Sequence, residues 1–235
     1  ATPYGTIAEA QHAIEQACEK GDIPEDYDIN LIFLGGDYYQ TSTLVLSSEK
    51  LGGRAVRYVA AAGTKVRIIG GAVLDNSKLG GADDLAKETI KDAAAKAAVV
   101  TYDLAAEGYD YTNDAFAIYE DGVRGIEARY PNKFAYCGLM VSFKDVGSSG
   151  GLYYFADKDG IVSSWKNAEG VKVEGGFQID WSTDHGVIQK VESGRVYMTA
   201  TNPPGENGTY YFSDVLDEMD VPGEYHIDKS TGILY

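Results

Sequence analysis

The sequence predicts an all-β protein, with short β-helix coils and an N-terminal capping helix packed on an antiparallel β-sandwich. Three observations carry that expectation. One helical stretch opens the chain, brief β-rich runs closed by Gly pairs follow it, and beyond residue 99 strand-like runs are punctuated by Gly, Asn and Asp. The expected organisation is 1–75 for cap and coils, 76–98 for a connector and 99–235 for the sandwich, the first and last forming one compact unit. A chain of 235 residues with 44% hydrophobic content is long enough to bury a large core.

The helix is read from spacing. Ile7, Ala10, Ile14, Ala17 and Cys18 share one face, Thr6 is placed to cap it, and Glu9 completes a capping box. Next come a β-rich run from Asp28 to Leu34, the pair Gly35-Gly36, a second run at 37–40 and a third from Thr43 to Leu46. Further short runs at 55–59 and 66–69 repeat the pattern, which suits coils whose strands stack and turn corners at glycines. Residues 76–98 are rich in Ala, Lys and Asp and read as a short surface helix or connector. Strand-like runs follow at 99–104, 116–119, 125–130 and 138–143, and continue to the end.

Composition excludes several functions. A net charge of −16 leaves no clustered Lys and Arg to neutralise phosphates, so neither nucleic acid nor an anionic membrane is an expected partner. The longest apolar runs fall well short of the ~20 residues of a membrane span. Neither a basic n-region nor an apolar h-region opens the chain, so a secretion signal is expected to have been removed or to lie upstream. Cys18 and Cys137 read as buried free thiols, with a disulfide as the alternative. The three histidines, His12, His185 and His226, are far apart in sequence, which disfavours zinc. His185 and His226 read as surface or turn residues.

Several segments, taken together, resemble the N-terminal region of right-handed parallel β-helix carbohydrate-active proteins, the glycoside hydrolase and polysaccharide lyase type. They are the opening TIAEAQHAIEQA with INLIFLGGDYYQTSTLVLSSEKLGGRAVRYVAAAGTKVRIIGG, then VTYDLAAEGYDY, IYEDGVRGIEARYPN, the Trp-bearing stretch 163–192, and the closing DVLDEMDVPGEYHIDKSTGILY. The resemblance implies that the helix caps a right-handed β-helix, that the coils bearing catalytic carboxylates are missing, and that no catalytic residue carries over. It departs from the family pattern at Tyr225-His226, where Trp-Tyr is usual.

Aromatic content is the most suggestive chemical feature. Eighteen tyrosines and two tryptophans can stack on the apolar faces of pyranose rings. Adjacent residues of a strand face opposite sides, so one member of a pair can be core and the other exposed. Tyr38-Tyr39, Tyr109, Tyr111, Tyr153-Tyr154, Trp165, Trp181 and Tyr210-Tyr211 are therefore the candidate ligand-binding residues; both tryptophans also fit core positions. Arg129 reads as a structural hydrogen-bonding residue. The acidic residues Asp214, Asp217, Glu218, Asp220, Glu224 and Asp228 read as a solvated hairpin shaped by a Pro222-Gly223 turn. Asp157 and Asp159 leave calcium as the one cofactor the sequence keeps open, against a plain turn.

Three readings follow. The first is a non-catalytic module for a neutral plant cell-wall polysaccharide, a β-glucan or a hemicellulose such as xyloglucan, linked to enzyme or dockerin domains of an extracellular bacterial protein of cellulosome type. The second is a truncated part of a β-helix hydrolase or lyase, and the third a structural or adhesive surface module.

Overall fold

The computed structural model describes residues 2–112, 116–132, 140–179 and 181–235. Cys137 and part of the 138–143 run lie outside these residues. The chain divides into two compact units, Ala1–Asp75 and Asn76–Tyr235.

In the first unit, α1 (Ile7–Glu19) starts where the spacing places it. Thr6 Oγ1 accepts from Glu9 N and Glu9 Oε2 accepts from Thr6 N, both at 3.1 Å, so two otherwise orphaned donors are satisfied. Ile7, Ala10 and Cys18 of this helix are buried. Strands β1 (Ile29–Phe33) and β3 (Val56–Ala60) pair in parallel, as do β2 (Gly36–Tyr39) and β4 (Val66–Ile69). The chain bends between β1 and β2 at Gly35, whose φ of +110° is denied to residues with a side chain. Across the second pair, Arg67 grips Asp37 through two hydrogen bonds.

These two-stranded sheets overturn the β-helix expectation. A coil needs further strands to close its turn, and residues 43–46, whose pattern predicts one, form none. Val45 and Leu46 there are exposed and face no neighbouring strand. The parallel pairs therefore stay separate, and no closed coil or solenoid is present among the described residues.

The second unit begins with β5 (Gly80–Gly81), the helices α2 (Asp84–Thr89) and α3 (Ala93–Ala98), and β6 (Val100–Asp103). Asp83 and Asp92 cap the two helices through Ala86 N and Ala95 N, each at 2.8 Å. Short strands β7 (Tyr119–Glu120), β8 (Val123–Arg124), β9 (Ile126–Glu127), β10 (Arg129–Tyr130) and β11 (Val141–Ser142) lead to β12 (Gly147–Ser149) and β13 (Leu152–Ala156). Longer strands follow: β14 (Lys172–Gly176), β15 (Asp184–Glu192), β16 (Arg195–Ala200) and β17 (Thr209–Ser213). The chain closes with β18 (Glu224–Tyr225), β19 (Ile227–Asp228) and β20 (Ile233–Leu234).

An antiparallel sheet in the order β10-β17-β14-β15-β16-β13-β12, with β11 also on β17, dominates this unit. Three strands separate β17 from β13, which in a flat sheet would hold them about 19 Å apart. Yet Phe212 of β17 stacks on Phe155 of β13 with ring centroids 6.3 Å apart. The sheet is therefore curled around one core of Phe143, Phe155, Phe177, Tyr210, Phe212 and aliphatic neighbours. One curled sheet stands where two facing sheets were expected.

A smaller cluster buries Ala86 and Ile90 with Ala128, Leu216, Met219 and Tyr235. There the Tyr235 hydroxyl donates to Asp83 Oδ2 at 2.8 Å. Pro222-Gly223 forms a turn with Glu224 N bound to Val221 O, but the strand after it, β18, pairs in parallel with β9. Among the described residues no helix is long and apolar enough to cross a membrane.

Candidate functional site

The candidate aromatics fall into different settings. Tyr210 and Trp165 are buried, and Trp165 packs edge-on to Phe212 while its Nε1 donates to Glu218 Oε1 at 2.6 Å. Tyr153 packs half-buried against the same core. Tyr38 meets Phe33 edge-on at 4.8 Å, and Tyr39 next to it is exposed. Tyr109 lies 6.5 Å from Tyr102, and Tyr111 lies against Gly232. Tyr154 pairs with Tyr197 at 5.6 Å under the Arg195 guanidinium, and Arg129 covers the Tyr211 ring at 3.8 Å. Trp181 stands apart: it is 85% exposed.

Trp181 lies on the loop joining β14 to β15, and its position follows from one carboxylate. Asp184 is buried and accepts from Phe177 N at 2.9 Å, Ser182 Oγ at 2.7 Å and Asn202 Nδ2 at 2.6 Å. The Asn202 hydrogen bond, helped by those of Ser182 and Phe177, outweighs desolvation and holds the Asp184 carboxyl below the usual range. Two more ties hold the base of the loop. Gly205 N donates to Phe177 O at 2.7 Å, and at Gly208 a Cβ would fall on that same carbonyl. Ser182 N closes a turn on Ile179 O at 3.2 Å, and this turn presents the indole to solvent. Burying a Trp removes 150–250 Å² from water on typical figures, about 4–6 kcal/mol, so an indole held outward by a tethered loop forgoes a large gain.

Beside this loop, the outer face of β14, β15 and β17 carries a polar group that sequence reasoning missed. Period-two alternation puts Lys172 and Glu174 of β14 on the same face as Tyr211 and Ser213 of β17. Glu174 accepts from Ser213 Oγ at 3.0 Å and from the Tyr211 hydroxyl, and its Oε1 lies 3.4 Å from His185 Nδ1. Burial, then the Glu174 charge, pushes the Tyr211 phenol up to about 12. The His185 side chain is 59% exposed.

A second ionic group lies at β9, β14 and the C-terminal strands. Lys172 Nζ is 3.2 Å from both Glu127 carboxylate oxygens and 3.7 Å from Asp214 Oδ2, while His226 Nδ1 is 2.7 Å from Asp214 Oδ1. Burial pushes the Glu127 carboxyl up, and Lys172 only partly offsets this. Burial also works against the Asp214 charge, but His226 and Lys172 outweigh it and hold that carboxyl down. The acidic run is thus not a solvated hairpin: Asp217 is buried and accepts from Lys166 N at 2.8 Å.

Asp157 spends its oxygens on Val162 N, Ser163 N and Ser163 Oγ, capping the turns that follow it. Asp159 is exposed with a positive φ of 57°. Among the described residues no group of three or more His, Cys, Asp or Glu is gathered to hold a metal ion.

No protein-family model and no curated protein matches this chain. A solved structure named "Glycoside hydrolase" shares its fold, with a TM-score of 0.66 at 14% sequence identity over 99% of this chain. This chain spans 39% of that chain's length. At such low identity the likeness concerns the fold.

Proposed function

We propose that this chain is a non-catalytic carbohydrate-binding module that recognises a neutral polysaccharide by stacking a sugar ring on Trp181. The observation that carries the reading is the indole itself, 85% exposed on a loop whose base is tied by Asp184, Gly205 and Gly208. A rigid, pre-oriented aromatic loses little conformational entropy on binding, which is what a platform for a flat apolar sugar face requires. A net charge of −16 disfavours uronates and sulfated glycans, so the ligand is neutral, with plant cell-wall β-glucans and hemicelluloses in that class. The shared fold with a glycoside hydrolase supports a carbohydrate-related role. An extracellular setting, with enzyme or dockerin domains linked to the module, belongs to the same proposal.

Affinity electrophoresis of the chain against xyloglucan, mixed-linkage β-glucan, xylan, mannan and pectin tests it. One neutral polymer is expected to retard the protein, and W181A is expected to weaken that retardation at least about tenfold, or ~1.4 kcal/mol. The variant's melting temperature should stay unchanged, because the side chain touches little. A second reading, a portion of a longer hydrolase, is favoured by the 39% span of the structural neighbour. It expects a folded protein that no polymer retards.

A further inference from the structure

We infer that His185, steered by Glu174, forms a hydrogen-bonding subsite for a hydroxyl of the same sugar chain that stacks on Trp181; the inference rests on the carbohydrate reading above. His185 is the first exposed residue of β15, directly after Asp184, the residue that ties down the Trp181 loop. Four residues of chain place the two Cα atoms within about 14 Å of each other, a span that a few sugar units cover.

The imidazole is prepared for such a role from two sides. Its backbone is locked to Thr201, whose N donates to His185 O at 2.9 Å and whose Oγ1 accepts from His185 N at 3.2 Å. Its Nδ1 faces the Glu174 carboxylate at 3.4 Å, so Nε2 is the ring nitrogen turned away from that carboxylate. Glu174 is itself held by Ser213 and Tyr211, so it cannot swing away from the ring. The His185 side chain is 59% exposed. An exposed imidazole on the strand that follows the Trp181 loop suits a sugar hydroxyl, which can donate to or accept from a ring nitrogen and which every neutral pyranose offers. The Glu174 charge next to it repels carboxylated or sulfated sugars, which restricts the class to neutral polymers.

The test compares wild type, W181A, H185A, H185Q and E174Q on the same five-polymer electrophoresis panel, with thermal melts of each. H185A is expected to bind the retained polymer about tenfold more weakly than wild type at an unchanged melting temperature. H185Q, whose amide oxygen reaches toward the Nε2 position, should recover part of the loss, and E174Q should fall between wild type and H185A. Wild-type retardation in H185A, with W181A impaired, overturns this inference alone. Retardation that survives W181A overturns the Trp181 platform and this subsite with it, and no retardation of the wild type by any polymer overturns the carbohydrate reading as well.

Discussion

Asp184 decides where Trp181 goes. Its carboxylate gathers donors from Phe177, Ser182 and Asn202, and only the last is remote in sequence, 18 positions away. Replacing Asp184 with Ala leaves a buried backbone N–H and a side-chain amide without acceptors, so a loss of about 1–3 kcal/mol is expected from urea unfolding. Sugar binding should weaken as well, because the indole loses its fixed bearing. Both tryptophans looked alike in the sequence, each fitting either core or ligand. Trp165 is buried because Glu218 reaches its Nε1 and Phe212 its ring edge, whereas Trp181 is held out by a carboxylate two strands' worth of chain away from its amide partner. Such determinants are tertiary, and no local pattern around either residue encodes them.

The elements that were legible are those whose signals are local. Thr6 and Glu9 lie within one turn of each other, so the capping box was readable, and T6A should lower stability by ~1 kcal/mol in a chemical denaturation curve. The run at 43–46 has the composition of a strand, but a strand exists only where a neighbour accepts its hydrogen bonds, and none does. The same dependence hides the curled sheet. Nothing in Phe155 or Phe212 announces that they stack, since four strand spacings separate them and only the closure of the sheet brings them together. Phe212 also meets Trp165 and Tyr210, so F212A should cost about 3–5 kcal/mol, among the largest losses of any single truncation, measurable as a shift of the urea midpoint at constant slope.

At the scale of the whole molecule, charge and burial lead to the prediction of a pH optimum on the acid side of neutrality. Two groups of carboxylates act in opposite directions. Hydrogen bonds hold Asp184 down; His226 and Lys172 hold Asp214 down against burial; Ser230 and Thr231 do the same for Asp228. Their contribution to stability is present above the ordinary Asp value of about 3.9 and is lost as pH falls through their lower folded values. Burial raises Glu127, Asp217 and Glu224, and these contribute most when protonated, below the ordinary value of about 4. That contribution is lost as pH rises through their raised folded values. Acidification from neutrality therefore protonates the raised group first, and it also relieves the self-repulsion of a chain carrying −16. The melting temperature is expected to climb from pH 7 to a maximum on the acid side, then fall once the lowered group titrates. Added salt should raise it more at pH 7 than at the maximum, because screening acts on the same repulsion that protons remove. In E127Q the climb should be shallower, since one of the three raised carboxyls no longer takes up a proton. Melts between pH 3 and 8 at low and high salt check all three outcomes, and a melting temperature that only declines below pH 7 would show that the depressed carboxylates outweigh the buried ones.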